Sequence, residues 1–321
     1  MINRNEEHEE RFFHTIIKEI CEENNIEVTK LSYDWILQLK KDGKIRHITG
    51  NRFDINKESA GDICCDKYAT YEVLSSQKIP VIEHKMIFNP TCRSKYINEN
   101  GIWSEIIDFF YKNDKKIVVK PNSGCEGQGV ELCQSLKEVE IAIHKLFKNH
   151  GSLSICPYYE IDTEYRTFYL DGECYLIYGK TRPNVIGDGN HTIKELLSIN
   201  NIYMPENNVV KDNFNSIDLN YIPKKNEIYY LSWKHNLSGG AVPCIVNEGV
   251  LKNKIIELVR KTGKAANIDF ATVDVIETNE KELYVMEINS GVCMTKFVEQ
   301  IPEGRDIAKK IYSKAIDRLF K

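Results

Sequence analysis

Paired short strands near the carboxyl end constrain the fold of this chain most. Two runs rich in β-branched and apolar residues, Ala271–Glu277 and Leu283–Ile288, lie close together, and a second pair within residues 165–178 turns at Asp171-Gly172. Short strands joined by tight turns pair in antiparallel fashion. Regular alternation of single strands with helices is missing, which argues against a Rossmann or P-loop domain. We therefore expect an α+β fold.

Helical periodicity and further strand signals fill in the rest of the chain. A hairpin with Asp42-Gly43 at its bend is expected over residues 35–48, and short strands at Lys116–Pro121 and Leu153–Cys156. Apolar residues recur at helical spacing in six segments. These predicted helices cover residues 7–24, 66–78, 136–147, 192–199, 248–266 and about 306–320.

Composition limits the classes of function. The chain has 321 residues, of which 42% are hydrophobic, and a formal net charge of −4. That length suggests two or three lobes, and the acidic balance argues against a nucleic-acid or membrane partner. The first residues lack a basic stretch followed by an apolar run, and no apolar run approaches the roughly 20 residues that span a bilayer. We therefore expect a cytoplasmic protein.

The cysteines do not form a recognisable framework. There are ten, without a Cys-x-x-Cys spacing. Free thiols are the favoured interpretation for a chain of this size without a secretion signal. Cys125 and Cys293 fall inside the motifs described next, where they either line a site or fill space as small residues.

The carboxyl-terminal strand pair carries the most specific chemical signal. Glu287 and Asn289 are two residues apart in one strand and so share a face, and an antiparallel partner would bring Asp274 beside them. Two carboxylates and an amide oxygen are hard donors that suit magnesium bridging nucleotide phosphates. The alternative is a polar strand face exposed to solvent.

A glycine-rich loop follows a strand that ends in a lysine. Lys120 precedes a segment with glycines at positions 124, 127 and 129, whose backbone amides could converge on phosphate oxygens. The segment is not a P-loop, because no Lys-Ser or Lys-Thr follows the last glycine. An ordinary flexible turn is the alternative.

Charged residues alternate in the first strand pair. Glu164 and Arg166 share one strand face, and Lys180 and Arg182 repeat that spacing one hairpin later. The cations could form an anion pocket. Surface pairing with acidic residues across the strands is an equal alternative.

Taken together, these motifs resemble the ATP-grasp superfamily. The sequence is most similar to the ATP-grasp domain of cyanophycin synthetase and to the RimK-like and glutathione-synthetase-like carboxylate–amine ligases, over about residues 66–300. The phrase Arg-Pro-Asn-Val-Ile-Gly-Asp-Gly-Asn-His-Thr-Ile-Lys-Glu-Leu, from Arg182 onward, is particularly like cyanophycin synthetase. The resemblance implies an ATP-grasp fold in which nucleotide lies between two α+β lobes, over 66–160 and 161–321. A short α/β lobe over 1–65 would precede them.

The resemblance also implies a role for individual residues. Metal would be bound by Asp274, Glu287 and Asn289, and catalysis would involve Arg166, Arg182 and Asn236. The residues implied to bind nucleotide are Lys67, Lys120, Ser123, Gly124, Gly127, Gly129, Pro157, Tyr158, Tyr159, Glu164 and Lys180. The cofactors implied are ATP and Mg²⁺, with two metal ions and with Mn²⁺ as an alternative.

The implied reaction joins a carboxylate to an amine through an acyl phosphate, releasing ADP and phosphate. The partners would be a small or peptide carboxylate and an amino acid, peptide or carrier-protein acceptor, with a thiol acceptor and a homodimer left open. An ATP-grasp phosphotransferase and a non-catalytic nucleotide-binding module are the alternatives. Two departures from the family bear on substrates: Cys156-Pro157-Tyr158 replaces an acidic hinge residue, and Ser290-Gly291-Val292-Cys293-Met294 replaces a turn that commonly contains proline.

Overall fold

A computed structural model describes residues 12–91, 103–124, 127–200 and 217–321 of the chain. Within these ranges it contains helices and antiparallel sheets, so the expected α+β class is confirmed. The helices are α1 (Phe12–Glu23), α2 (Glu58–Cys65), α3 (Lys67–Ser76), α4 (Trp103–Lys112), α5 (Leu136–Phe147), α6 (Ile193–Ile199), α7 (Val250–Ala266), α8 (Thr295–Gln300) and α9 (Gly304–Phe320).

The strands within these described ranges form four sheets. They are β1 (Glu27–Leu31), β2 (Ile36–Lys41), β3 (Lys44–Thr49), β4 (Arg52–Phe53), β5 (Lys85–Phe88), β6 (Ile117–Pro121), β7 (Glu131–Cys133), β8 (Ser152–Pro157), β9 (Ile161–Leu170), β10 (Glu173–Thr181), β11 (Asn184–Ile186), β12 (Ile228–Tyr230), β13 (Val242–Ile245), β14 (Phe270–Thr278) and β15 (Leu283–Asn289). The sheet orders are β1-β2-β3-β4, β5-β8-β6-β7, β13-β10-β9-β14-β15 and β11-β12.

The β5-β8-β6-β7 sheet is called the first sheet below, and the five-stranded sheet is called the second sheet. Most of the predicted site residues lie on or next to these two sheets. A small apolar cluster lies where they meet, with Val118 and Cys156 from the first sheet and Ile276 from the second. Residues 80–82 connect the sheets through the backbone, since Ile82 N donates to Val285 O at 3.0 Å and Val285 N donates to Pro80 O at 2.9 Å. Backbone bonds of this kind fix the distance between the two sheets.

The amino-terminal segment packs beside the second sheet. Apolar side chains of α1, β2 and β3 share one buried cluster with α9 and with one face of β9 and β10. Asn56 accepts a hydrogen bond from Phe270 N at 2.7 Å, and Arg46 Nε donates to Leu319 O at 2.8 Å. The lobe is therefore held against the body of the protein. A boundary at residue 65 remains a prediction.

Local sequence explains several element boundaries. The Asp66 carboxylate accepts a hydrogen bond from Ala69 N at 2.7 Å and begins α3, as Ser135 begins α5. A capping box of Thr192 and Glu195 begins α6. None of the helices in the described ranges has the length and apolar character needed to cross a membrane.

Candidate active site

Two lysines lie close together because the chain clamps their elements. Lys67 opens α3 and Lys120 lies in β6. Asn122, just after β6, donates to Asp66 Oδ2 at 2.6 Å, and its backbone carbonyl accepts from Lys67 N at 3.1 Å. The helix start and the strand end are thus joined at two points. Both lysines line the same cavity.

The two lysines carry charge that no neighbouring carboxylate neutralises directly. Within the described part of the chain neither forms an ion pair, and Lys67 Nζ donates to the Gly124 carbonyl at 3.3 Å. Burial lowers the pKa of Lys67, the Glu287 carboxylate opposes this, and the like charge of Lys120 adds to it. Like charges held together in a cavity favour an anionic ligand.

The predicted metal residues lie side by side. Asp274 pairs directly with Glu287 across β14 and β15, and Thr272 pairs with Asn289. Asn289 Nδ2 donates to Glu287 Oε1 at 3.1 Å. A bulge follows Asp274, and bulges often redirect side chains beside functional sites. The antiparallel arrangement expected from the sequence therefore brings the three oxygen-bearing side chains together.

A buried ionic network connects these residues to the neighbouring strands. Arg166 donates to both oxygens of Asp274, at 2.8 and 2.6 Å. Lys180 Nζ is hydrogen-bonded to Glu164 and lies 3.6 Å from Asp274 Oδ1. The strand register explains both ion pairs, because Asp274 lies opposite Arg166 across β14 and β9, and Glu164 lies opposite Lys180 across β9 and β10. Burial raises the pKa of Asp274, but the charges of Arg166 and Lys180 outweigh burial and hold that pKa well below its ordinary value.

The donor set fits a hard divalent cation, with one rearrangement. Carboxylate and amide oxygens are the ligands that Mg²⁺ prefers. The described residues contain no cluster of three His, Cys, Asp or Glu side chains arranged to hold a metal, so the amide oxygen of Asn289 would complete the site. Because Arg166 engages both oxygens of Asp274, that carboxylate would have to share one of them.

The glycine-rich loop approaches the site closely. Gly127 and Gly129 have positive φ, at 67° and 66°. A Cβ at Gly127 would lie 2.0 Å from Asn236 Nδ2, so only glycine fits there without displacing that amide. Cys125, for which lining the site and filling space were the two alternatives, lies outside the described residues.

Two adjoining cavities define the site. The smaller, of about 130 Å³, is lined by Lys67, Lys120, Glu164, Arg166, Lys180, Asn236, Asp274 and Glu287 among others. The larger, of about 630 Å³, shares six lining residues with it and extends to the amino-terminal lobe. The shared residues are Lys67, Gly124, Arg166, Lys180, Asn236 and Glu287. Ser123 and Asn289 line the larger cavity.

Other predicted residues lie outside these cavities. The expected common face of Lys180 and Arg182 stays a prediction, because β10 ends at Thr181 and Arg182 lies beyond the strand. The Arg182 guanidinium instead lies 3.8 Å from the ring centre of Tyr230. Gly129 and the hinge residues Pro157, Tyr158 and Tyr159 line neither cavity.

Sequence reasoning missed a histidine in the cavity wall. His235 is 3% exposed, and its Nε2 has no hydrogen-bond partner among the described residues. Burial and the charges of Arg182 and Lys180 lower its pKa to about 4. The sequence signal that could have identified His235 is its position next to Asn236, a predicted catalytic residue. A buried nitrogen without a partner at a cavity wall suits a polar ligand.

Comparisons with known proteins show what the sequence and the fold are similar to. No family model matches the sequence. Cyanophycin synthetase of Trichormus variabilis is 23% identical over 327 residues, covering 95% of this chain and 34% of that protein. The glutathione biosynthesis bifunctional protein GshAB of Streptococcus thermophilus is 41% identical over 91 residues, covering 27% of this chain and 12% of its own length. The chain thus spans about a third of the first relative and less of the second.

Solved structures give the fold. A bifunctional glutathione synthetase from Pasteurella multocida aligns with a TM-score of 0.54 at 18% identity, covering 93% of this chain and 44% of that one. D-alanine–D-alanine ligase from Bacillus anthracis aligns with a TM-score of 0.53 at 18% identity, covering 83% and 69%. The resemblance drawn from the sequence is therefore confirmed: the chain is related to cyanophycin synthetase and GshAB and has the ATP-grasp fold.

Proposed function

We propose that this protein is an ATP-dependent carboxylate–amine ligase that forms an amide bond and releases ADP and phosphate. One observation carries the proposal. Two lysines without ion-pair partners in the described chain, Lys120 buried and Lys67 partly exposed, share a cavity with a pair of acidic strands. The names of the relatives, cyanophycin synthetase and GshAB, support the same reaction class.

In this proposal the phosphates and the ribose of the nucleotide lie in the smaller cavity, and the base extends beyond it. Lys67 and Lys120 would bind its phosphates, and the amides around Gly124, Gly127 and Gly129 would cover them. Ser123 lies at the same loop. Glu164 would bind the ribose, with Lys180 holding Glu164 in place, and residues Pro157–Tyr159 would contact the base through the backbone. His235 Nε2 would gain its partner from the nucleotide.

The metal would be held by Glu287, Asn289 and one oxygen of Asp274. When bound, Mg²⁺ would neutralise charge on the phosphate oxygens. Mn²⁺ has the same preference for oxygen ligands. Two ions are proposed by analogy with the family, and free thiols at the eight described cysteines suit the proposed cytoplasmic location.

The chemistry would proceed in two displacements. A substrate carboxylate oxygen attacks the γ-phosphorus, and the bond to ADP breaks. An amine nitrogen then attacks the acyl carbon, phosphate leaves, and the nitrogen loses a proton. Arg166 and Asn236 would orient and stabilise the reacting groups, since positioning and charge stabilisation dominate such reactions. Arg182 has a proposed role only if it leaves Tyr230.

The test is a pairwise screen of amino acids and short peptides with ATP and Mg²⁺. Release of ADP together with a product whose mass corresponds to condensation is the expected result. A stable phosphorylated acid without condensation would favour the phosphotransferase alternative. Calorimetric ATP binding without ADP release from any pair would favour a binding module. Lys67→Met is the matched control, because it should abolish ADP release whether the reaction is ligation or phosphotransfer.

A further inference from the structure

The larger cavity has a second positively charged wall, away from the phosphate side. The amino-terminal lobe contributes Trp35, Asn51 and Arg52 to it, and α8 contributes Lys296. Glu287 is the one carboxylate among the described residues that line this cavity. A substrate that enters it therefore meets cations at both ends.

Arg52 is the cation at this wall that is available to a ligand. Lys296 is already paired with Glu299 at 2.7 Å. Arg52 is exposed, donates from Nη2 to Cys65 Sγ at 2.9 Å, and forms no ion pair within the described ranges. A thiol is a weak acceptor, so a carboxylate would be a much stronger partner for the guanidinium.

The position of Arg52 is fixed relative to the proposed metal residues. Val292 N donates to Asn51 O at 2.9 Å, which ties β4 to the segment after β15. The stem of Arg52 packs over Gly291, where a Cβ would lie 3.7 Å from Arg52 Cγ. Cys65 Sγ also lies 3.8 Å from Ser290 Oγ, next to Asn289. Arg52 is therefore anchored to residues 290–292, which directly follow β15, the strand that carries Glu287 and Asn289.

We propose that Arg52 binds a free carboxylate of a substrate, distinct from the carboxylate that is activated. This rests on the proposed ligase function and narrows its substrates to those with such a group. Guanidinium binds carboxylate in a planar, bidentate geometry. The group is either a second carboxylate of the acid or the α-carboxylate of an amino-acid acceptor. The half-exposed indole of Trp35 borders the same space.

Alkylation of Cys65 tests the anion site without turnover. Iodoacetate is anionic and iodoacetamide is neutral, so the ratio of their rates at one thiol reports local potential and cancels changes in thiolate fraction. Arg52→Gln should lower this ratio at Cys65 about fivefold, while Arg52→Lys should keep most of it. Cys293 is the internal control in the same cavity. Burial raises the pKa of neighbouring Cys64 to about 12, so that thiol should react little.

Protection and kinetics identify the source of the carboxylate. Free amino acids or succinate should slow alkylation of Cys65 by iodoacetate, and the α-amides of the same amino acids should not. With active pairs from the screen, Arg52→Gln should raise KM for one substrate and leave KM for ATP unchanged. A rise for the acid assigns its second carboxylate, and a rise for the acceptor assigns the α-carboxylate.

The outcomes separate the two proposals. An unchanged alkylation ratio in Arg52→Gln would overturn the role of Arg52 even if ligation is observed. Equal use by the wild type of substrates with and without this second free carboxylate would overturn it as well. A lowered ratio and selective protection without turnover of any pair would leave the anion site in place and remove the ligase proposal instead.

Discussion

The charged side chains on the two sides of the cavity differ in whether they form ion pairs. In the second sheet Arg166 is paired with Asp274, and Lys180 is paired with Glu164. Lys120 in the first sheet and Lys67 at the start of α3 form no ion pair with any described residue. One side is thus neutralised internally and the other carries an excess of positive charge.

This difference indicates what each side does. Buried cations paired within a sheet belong to the folded structure, and removing one partner leaves an uncompensated buried charge. Cations held near each other without partners cost stability and are compensated when an anion binds. The unpaired lysines therefore favour an anionic ligand on their side of the cavity.

The largest loss of stability should come from removing one partner of an ion pair in the second sheet. Lys180→Met should lower the free energy of unfolding by about 3 kcal/mol, because Glu164 loses the partner that compensates its burial. Lys120→Met is the matched variant on the unpaired side. It should change the free energy of unfolding by no more than about 0.5 kcal/mol, and relief of repulsion from Lys67 could raise it.

Urea unfolding of both variants without nucleotide measures this contrast. The same Lys120→Met protein should bind ATP at least about tenfold more weakly in calorimetry, because a charge-assisted contact is lost. Equal losses of stability in the two variants would show that both lysines are structural and would remove the distinction between the sheets.

A smaller effect, on the rate of ADP release, is expected at β14 and β15, the strands that carry Asp274 and Glu287. Glu287→Gln keeps the shape of the side chain and removes one ligand charge, so ADP release should fall about 100-fold or more at saturating Mg²⁺. Glu280→Gln, on the exposed turn between β14 and β15, is the control and should keep full activity. Retention of normal turnover in Glu287→Gln would contradict the metal assignment.

Sequence patterns predicted the elements whose residues repeat most regularly. The helix over Leu136–Phe147 has the predicted bounds, and the strands that carry Asp274 and Glu287 pair as expected. Helix α2, with only Ala60 and Cys64 buried, offers too little apolar periodicity to be detected. Its position depends on packing against the rest of the fold.

Tertiary contacts decide the side-chain positions that local sequence patterns did not predict. Arg52 lies about 240 residues before the segment to which it is anchored, and no local spacing predicts that docking. Arg182 follows the end of a strand, and the sequence does not reveal where the alternation stops. His235 stands beside a predicted residue, but its burial follows from the loop that carries it.

The smallest predicted effect tests His235 by pH. Its pKa of about 4 lies below the ordinary value of 6.5. Between these pH values the unfolded chain binds the proton more readily than the folded chain, so stability falls as pH is lowered from about 6.5 to about 4. Arg182 and Lys180 lower this pKa, Asp162 raises it, and Glu164 lies 4.0 Å away.

His235→Gln cannot titrate, and the variant should lose about 2 kcal/mol less stability than the wild type between pH 7 and pH 5. His84, whose pKa is also well below its ordinary value, is present in both proteins and cancels in the difference. Urea unfolding at several pH values measures this, and parallel pH profiles of the two proteins would mean that His235 accepts a proton in the folded state. In that case its Nε2 could bind phosphate as a cation, and the histidine would belong with Lys67 and Lys120 on the unpaired side of the cavity.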